Sequence, residues 1–165
     1  MAPRAGDGPG SSTGPDGVPE GAQPGVGQGP YAPEEPGAGA LRGEQHGEAY
    51  ARFQEGSRLL DSGNTHAAVV ALERARDLEP EKGSIREALA RAYFRSQRVE
   101  AARAEFEKVL ELDPVNDYAH FGLGLCLLRS GDRAGARGHL KMATIMRPDE
   151  EAYQDALRQA SAGGH

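Results

Sequence analysis

Five histidines, one cysteine and a few clustered acids are the side chains with which this 165-residue chain could do metal or covalent chemistry. A metal centre needs His, Cys or carboxylate ligands at spacings that bring them to one face, as in HExxH or CxxC. His46, His66, His120, His139 and His165 show no such spacing with one another, with Cys126 or with an acid. His120 and His139 are placed to approach each other across a helical hairpin, and both read as ordinary helix-surface residues. No metal and no cofactor is expected. Cys126 has no basic partner in view to stabilise a thiolate, so it reads as a packed thiol rather than a nucleophile. Gly122-Leu123-Gly124 lacks a third glycine and lies within a helical segment, which is no phosphate loop. Asp149-Glu150-Glu151 is an acidic first helical turn, where negative charge is favourable, and not a paired-carboxylate site. These residues assemble no nucleophile, base and acid, and the chain reads as non-enzymatic.

The composition is split between two segments. Hydrophobic residues make up 38% of the chain, but eight of its eleven prolines and twelve of its 23 glycines precede residue 44. Residues 1–45 show no period of 2 or 3.6 and too few large apolar groups to offset the roughly 1–2 kcal/mol per residue that backbone ordering costs. This segment is expected to be a disordered Gly/Pro-rich tail. Pro30-Tyr31-Ala32-Pro33 holds its only aromatic and could dock into a groove. The net charge is -6, and Arg4 and Arg42 against Asp7, Asp16, Glu20, Glu34, Glu35 and Glu44 give 2 − 6 = -4 of it to the tail. The mildly acidic remainder has no large basic field, so nucleic acid and anionic membrane are not expected partners. A single cysteine permits no intrachain disulfide, and no apolar run is long enough for a signal or a membrane span. A cytoplasmic location is expected.

Past residue 45 the chain turns rich in Ala, Leu, Arg and Glu, and a 34-residue period appears. Aligned on Gly63, Gln97 and Gly131, it divides into repeats 49–82, 83–116 and 117–148, and Pro80, Pro114 and Pro148 close the units. The third unit carries Leu123, Gly124, Leu127, Gly131, Ala136, Leu140, Ala143 and Pro148. The second matches with Leu89, Ala90, Tyr93, Ala102, Phe106, Val109 and Pro114, and the first with Gly56, Leu59, Gly63, Ala68, Leu72, Ala75 and Pro80. In period and in these small and large apolar positions, residues 49–148 resemble the tetratricopeptide-repeat family. Arg52 and Glu55 depart from its apolar pattern, as suits a leading unit with no repeat before it. Arg86 and His120 replace its frequent aromatic at the fourth position.

The resemblance implies an all-α fold, a right-handed α-α superhelix of helix-turn-helix repeats spanning a domain at 46–165. Helices are expected at 47–62, 65–78, 81–96, 99–112, 115–130 and 133–146, with a seventh at 149–160 as a solubilising cap. Gly56, Ala90 and Gly124 are expected to face Ala68, Ala102 and Ala136, letting the helices of each hairpin approach closely. Leu59, Tyr93 and Leu127 should bury against Leu72, Phe106 and Leu140. Asp113 is the expected N-cap of the fifth helix.

The resemblance also implies a concave groove lined by the first helix of each repeat. Here those positions supply Tyr50 and Phe53, then Arg91, Phe94 and Arg95, then Tyr118, Phe121, Leu125 and Arg129, with Leu60, Ala88, Gly122 and Leu128 among their neighbours. The groove suits a peptide or helix with apolar anchors, and an acidic group for the arginines to pair. One subfamily clamps acidic chaperone C-termini with Lys, Arg and Asn. Phe53, Ser57, Ala88, Tyr118 and Gly122 stand there instead, so chaperone tails are disfavoured. The expected function is that of an adaptor holding a segment of another protein. The alternative is a self-assembling scaffold subunit pairing through its aromatic face or repeat ends.

Overall fold

The computed structural model describes residues 38–163. Most of the tail, with its expected disorder and the docking of Pro30–Pro33, falls outside the described residues, as does His165. The chain divides after Leu41. Of the first unit only the first turn of a helix is described, and the second unit, Arg42–His165, holds the repeats.

Among the described residues there are helices and no strands. They are α1 (Ala38–Asp61), α2 (Thr65–Leu78), α3 (Gly83–Arg95), α4 (Val99–Leu112), α5 (Asp117–Arg129), α6 (Arg133–Met146) and α7 (Glu151–Ala162). Six lie within a few residues of their expected bounds. The exception is α1, which runs from Ala38 rather than residue 47. Gly39, Gly43 and Gly47, each costing about 1 kcal/mol relative to Ala in a helix, mask this stretch in the sequence. The Ala, Leu, Arg, Glu and Gln residues between them are good helix formers. Contacts of its middle with α2 and the turn after it, Arg74 to Glu48 and His46 to Glu79, tie residues 46–48 to the first repeat.

The periodicity persists in the backbone. Each turn between the two helices of a repeat bends at one left-handed residue, Gly63 (φ 85°), Gln97 (φ 67°) or Gly131 (φ 88°). Glycine adopts this conformation freely, whereas Gln97 bears the steric cost of its Cβ. The residue after each then donates its backbone N–H across the turn, Asn64 to Leu59 O (2.8 Å), Arg98 to Tyr93 O (2.9 Å) and Asp132 to Leu127 O (2.9 Å). Asn116, not Asp113, caps α5, its side chain accepting from the Ala119 N–H at 2.8 Å. Asp113 instead ends α4 and accepts from the Val115 N–H.

The residues replacing the fourth-position aromatics share a second periodic device. Arg86 donates from Nε to Pro80 O (2.6 Å), and His120 contributes Nε2–H to Pro114 O (2.9 Å). Gln154 of α7 does the same to Pro148 O. Each side chain ties the start of its helix to the proline that closes the preceding unit, satisfying a carbonyl that proline geometry leaves outside the helical ladder. Arg86 and His120 also reach across their hairpins. Arg86 meets Glu105 (2.6 Å), which is buried and also holds Arg76 (2.7 Å), and His120 meets His139, their Nδ1 atoms 3.1 Å apart.

The main core runs through the repeats from Leu60 and Leu72 past Leu89, Tyr93, Phe106 and Val109 to Leu123, Leu127 and Leu140, and ends on Ala156 and Ala160 of α7. Expected core pairs are thus buried, although Leu59 is only partly so. The nearest neighbours at the glycines are leucines. A Cβ on Gly56 would come 2.5 Å from Leu72 Cγ, and one on Gly124 2.6 Å from Leu140 Cγ.

The cap expected at residues 149–160 is α7. It buries Tyr153, Ala156 and Ala160. The Tyr153 ring stacks on Phe121 at 4.6 Å, and its hydroxyl donates to Asp117 Oδ2 at 2.7 Å. Glu151, Asp155 and Arg158 stay exposed. No described helix is long and apolar enough to cross a membrane.

Candidate functional site

The residues expected to line a groove lie on α1, α3 and α5, the first helices of the three repeats. Residues three or four apart on one of these helices share a face.

Two hollows are lined by residues of this set, the first mainly apolar and the second mixed. The first, of about 390 Å³, lies between α1 and α3 and is lined by Ala49, Tyr50, Phe53 and Ile85, with His46, Glu79, Lys82 and Ser84 at its edges. Tyr50 is 62% exposed, its hydroxyl accepting a hydrogen bond from Gln54. The second, of about 400 Å³, lies among the ends of α3, α5 and α7 and the start of α6, with Phe94, Leu125 and Leu128 on one side and Arg129, Arg133 and Gln159 on the other.

Of the sequence-chosen residues, Tyr50 and Phe53 thus meet in the first hollow, and Phe94, Leu125 and Arg129 in the second. Tyr118 and Phe121 are half-buried and belong largely to the packing. Tyr118 sets its ring edge toward Phe106 (6.2 Å) and lies 6.0 Å from Phe121, which has given its face to Tyr153 of the cap. Burial raises the Tyr118 phenol above its ordinary pKa, with nearby Arg91 pulling the other way. Leu60, Ala88 and Gly122, expected beside the groove, are buried in the core, and a Cβ on Gly122 would reach 2.2 Å from Phe106 Cζ. Phe106 needs a glycine there, a demand that only the next repeat's approach creates.

The arginines are oriented by neutral groups. Arg95 donates to Leu60 O (3.3 Å). Arg129 donates to Gln97 Oε1 (2.8 Å) and lies over the Phe94 ring at 5.0 Å, a cation–π contact. Arg133 donates to Gln159 O at the end of α7 (3.1 Å). Arg91 Nε is buried without a hydrogen-bond acceptor. Sequence reading overlooked Arg133, Gln159, His46 and Lys82, which sit at turns and helix ends where no periodic signal marks a groove.

The residues first considered for chemistry behave as packed groups. Cys126 is fully buried, and that burial pushes its thiol up to about 11, far from a reactive thiolate. His120 and His139 stack at 5.3 Å between ring centres. Burial, and then His120 beside it, lowers the pKa of His139. Among the described residues, no three His, Cys, Asp or Glu side chains group as a metal site.

The description "Tetratricopeptide repeat" matches this chain over residues 53–116 and 88–151, across the helix pairs just traced. The chain belongs to the tetratricopeptide-repeat family. This tetratricopeptide-repeat chain is 35% identical over 99 residues to TPR repeat-containing protein PA4299 of Pseudomonas aeruginosa, covering 60% of this chain and 38% of that protein. It is 33% identical over 101 residues to the tetratricopeptide repeat and J domain-containing co-chaperone DNJ1 of Cryptococcus neoformans var. grubii, covering 61% of this chain and 19% of that protein. The match thus spans well under half the length of either relative. In fold it is similar to the first TPR of Spaghetti (RPAP3) bound to HSP90 peptide SRMEEVD, with TM-score 0.69, 17% identity and coverage of 72% of this chain and 94% of that one. It is similar as well to the Yersinia enterocolitica type III secretion chaperone SycD in complex with a peptide of the translocator YopD. There the TM-score is 0.64 at 14% identity, covering 70% of this chain and 94% of that one.

Proposed function

We propose that this tetratricopeptide-repeat chain is a non-enzymatic interaction module that holds a segment of another protein along the inner faces of α1, α3, α5 and α7. The observation that carries this reading is the pair of hollows lined by first-helix residues, an apolar one around the 62%-exposed Tyr50 and a mixed one around Phe94 and Leu125. Concave apolar surface with a few directed polar groups is what peptide and ligand recognition uses. The solved domains bound to an HSP90 peptide and to a YopD peptide support a protein segment as the ligand class.

The test is capture of binding proteins by the full chain and by a Tyr50→Ala/Arg129→Glu variant, both of whose side chains are exposed. Loss of the captured protein with circular dichroism unchanged is the expected result. Undiminished capture means that the hollows are not the site. Phe121 is unsuitable for this purpose, because its truncation also uncovers Tyr153.

The clamp positions hold Phe53, Ser57, Ala88, Tyr118 and Gly122, and Ala88 and Gly122 are buried. An acidic peptide ending in a free carboxylate should therefore bind no better than its amidated form. A clear preference for the free carboxylate in a calorimetric titration would restore chaperone-type C-termini as candidates.

A further inference from the structure

The outer row of α6 differs from the same row of the two second helices before it. Ala134, Arg137, Gly138, Lys141, Met142 and Ile145 are spaced three and four apart, opposite the buried Ala136, Leu140 and Ala143, and all six are exposed. Met142 is 45% exposed and Ile145 64%. One repeat earlier their places hold Lys108 and Glu111, an ion pair, and two repeats earlier Arg74 and Asp77, which pair with Glu48 and Arg76. The fold thus accepts charged residues at these positions, and the core does not require the two apolar ones.

Charge and shape change along with polarity. Residues 133–147 contain Arg133, Arg137, Lys141 and Arg147 and no acid. Arg133 is held by Gln159 O and Arg147 lies beside Asp117 and Glu150, which leaves Arg137 and Lys141 without a carboxylate partner among the described residues. In α4 the place of Lys141 belongs to Glu107, which is bound to Arg103. Arg58 also lacks a carboxylate partner, but Gln54, Glu55, Asp61 and Ser62 surround it at helical spacing, with no exposed apolar row. Gly138 stands at the centre of the α6 row, where α4 has Ala104. Its φ is negative, and a Cβ on it would meet nothing within 4 Å. Gly56, Gly122 and Gly124 each make room for a core side chain, whereas Gly138 makes room for nothing in this chain. Of the other open glycines, Gly39, Gly43 and Gly47 precede the repeats, Gly63 and Gly131 form turns and Gly83 begins a helix. A glycine inside a helix is costly relative to alanine.

We propose that this outer face of α6 is a second docking surface, independent of the hollows on the first helices, and that its partner is an acidic amphipathic helix of another protein. The helix crosses α6 at Gly138, where the missing side chain lets its backbone approach closely. Its apolar stripe covers Met142 and Ile145, and its carboxylates meet Arg137 and Lys141, which sets the orientation. A symmetric pairing with α6 of a second copy would set these cations against themselves. An anionic bilayer has no use for a notch one helix wide, and would also meet Asp149, Glu150 and Glu151, which follow α6 directly.

The probe is a stapled helical peptide of about 18 residues with a leucine stripe at helical spacing, glutamates flanking it and alanine elsewhere, titrated into the full chain and followed by NMR. A second peptide has lysine for glutamate. The glutamate peptide should shift the signals of Gly138, Met142 and Ile145 and bind at least tenfold tighter than the lysine one. A Met142→Lys/Ile145→Glu variant carries the residues that α4 holds at these places, and it should stay folded and bind at least tenfold more weakly. Lys141→Glu, again the α4 residue, should remove most of the preference for glutamate. Gly138→Ala separates docking from folding. It should raise the melting temperature of the free chain and yet weaken the peptide several-fold, because the added methyl stands in the crossing. Unchanged binding by Gly138→Ala overturns the crossing, and equal binding of the two peptides overturns the acidic partner. No shift at Met142 and Ile145 at millimolar peptide, or shifts confined to Tyr50, Phe94 and Leu125, overturns the docking surface itself. Dimerisation of the free chain that Met142→Lys/Ile145→Glu abolishes would give the face to a second copy, and phosphatidylserine vesicles binding the chain more tightly than the peptide would give it to a membrane. Either result overturns the proposal.

Discussion

At the residue scale, two side chains carry costs that the repeat makes visible. Gln97 occupies the left-handed turn position that Gly63 and Gly131 fill in the neighbouring units. A non-glycine residue there costs about 1–2 kcal/mol. Gln97→Gly loses the bond to Arg129 and adds unfolded-state entropy, so the net gain should be about 0.5 kcal/mol. Urea denaturation would measure it, and a lower midpoint for the variant would mean that the Arg129 bond outweighs the strain. His139 is the other case. Its neutral form is favoured in the fold, by burial and then by the adjacent His120, while Glu107 nearby acts in the opposite sense. A histidine whose folded pKa is depressed contributes stability above its unfolded pKa, and that contribution is lost as pH falls through the folded value. Between pH 7.5 and 5.0 the wild type should therefore lose more stability than His139→Gln, and equal losses would show that the pair is electrostatically silent.

At the element scale, the hairpins owe their spacing to single atoms that are missing. Gly122 lets α5 lie against Phe106 of α4, and an alanine there would put its Cβ within 2.2 Å of the ring. Phe106 is itself buried and cannot swing aside, so Gly122→Ala should cost about 2 kcal/mol through overpacking. Thermal denaturation checks this, and an unchanged midpoint would mean that α5 shifts without penalty. The residues at the fourth position show the same dependence on neighbours. Arg86, His120 and Gln154 differ in chemistry and share one task, donating to the proline carbonyl six residues before. In the sequence they look like departures from a family pattern. Their common geometry emerges only when each helix start is folded back on the preceding turn.

At the scale of the whole molecule, a stack of repeats is closed at its C-terminal end by a helix that is amphipathic for that purpose. Tyr153, Ala156 and Ala160 of α7 cover α5 and α6, and Asp155 and Arg158 face solvent. Removing residues 149–165 would expose Phe121 and the end of the core at once. The melting temperature should drop and self-association appear in light scattering, since terminal repeats need a polar outer face. A truncated chain that melts and sediments like the full one would show that α7 is not a cap.

The sequence by itself determined the period, the helices and the core. Small and large apolar residues recur every 34 positions, and local helical spacing leaves them one way to be buried together. It also singled out Tyr50, Phe53, Phe94, Leu125 and Arg129, which line the two hollows. It missed the first part of α1, where glycines obscure an otherwise helix-forming stretch. Tertiary structure alone decided which inner residues remain available. Phase cannot reveal that Tyr118 and Phe121 are engaged by Phe106 and Tyr153, or that Gly122 lies under a ring. Those facts depend on contacts between residues on different helices, and no local pattern encodes them.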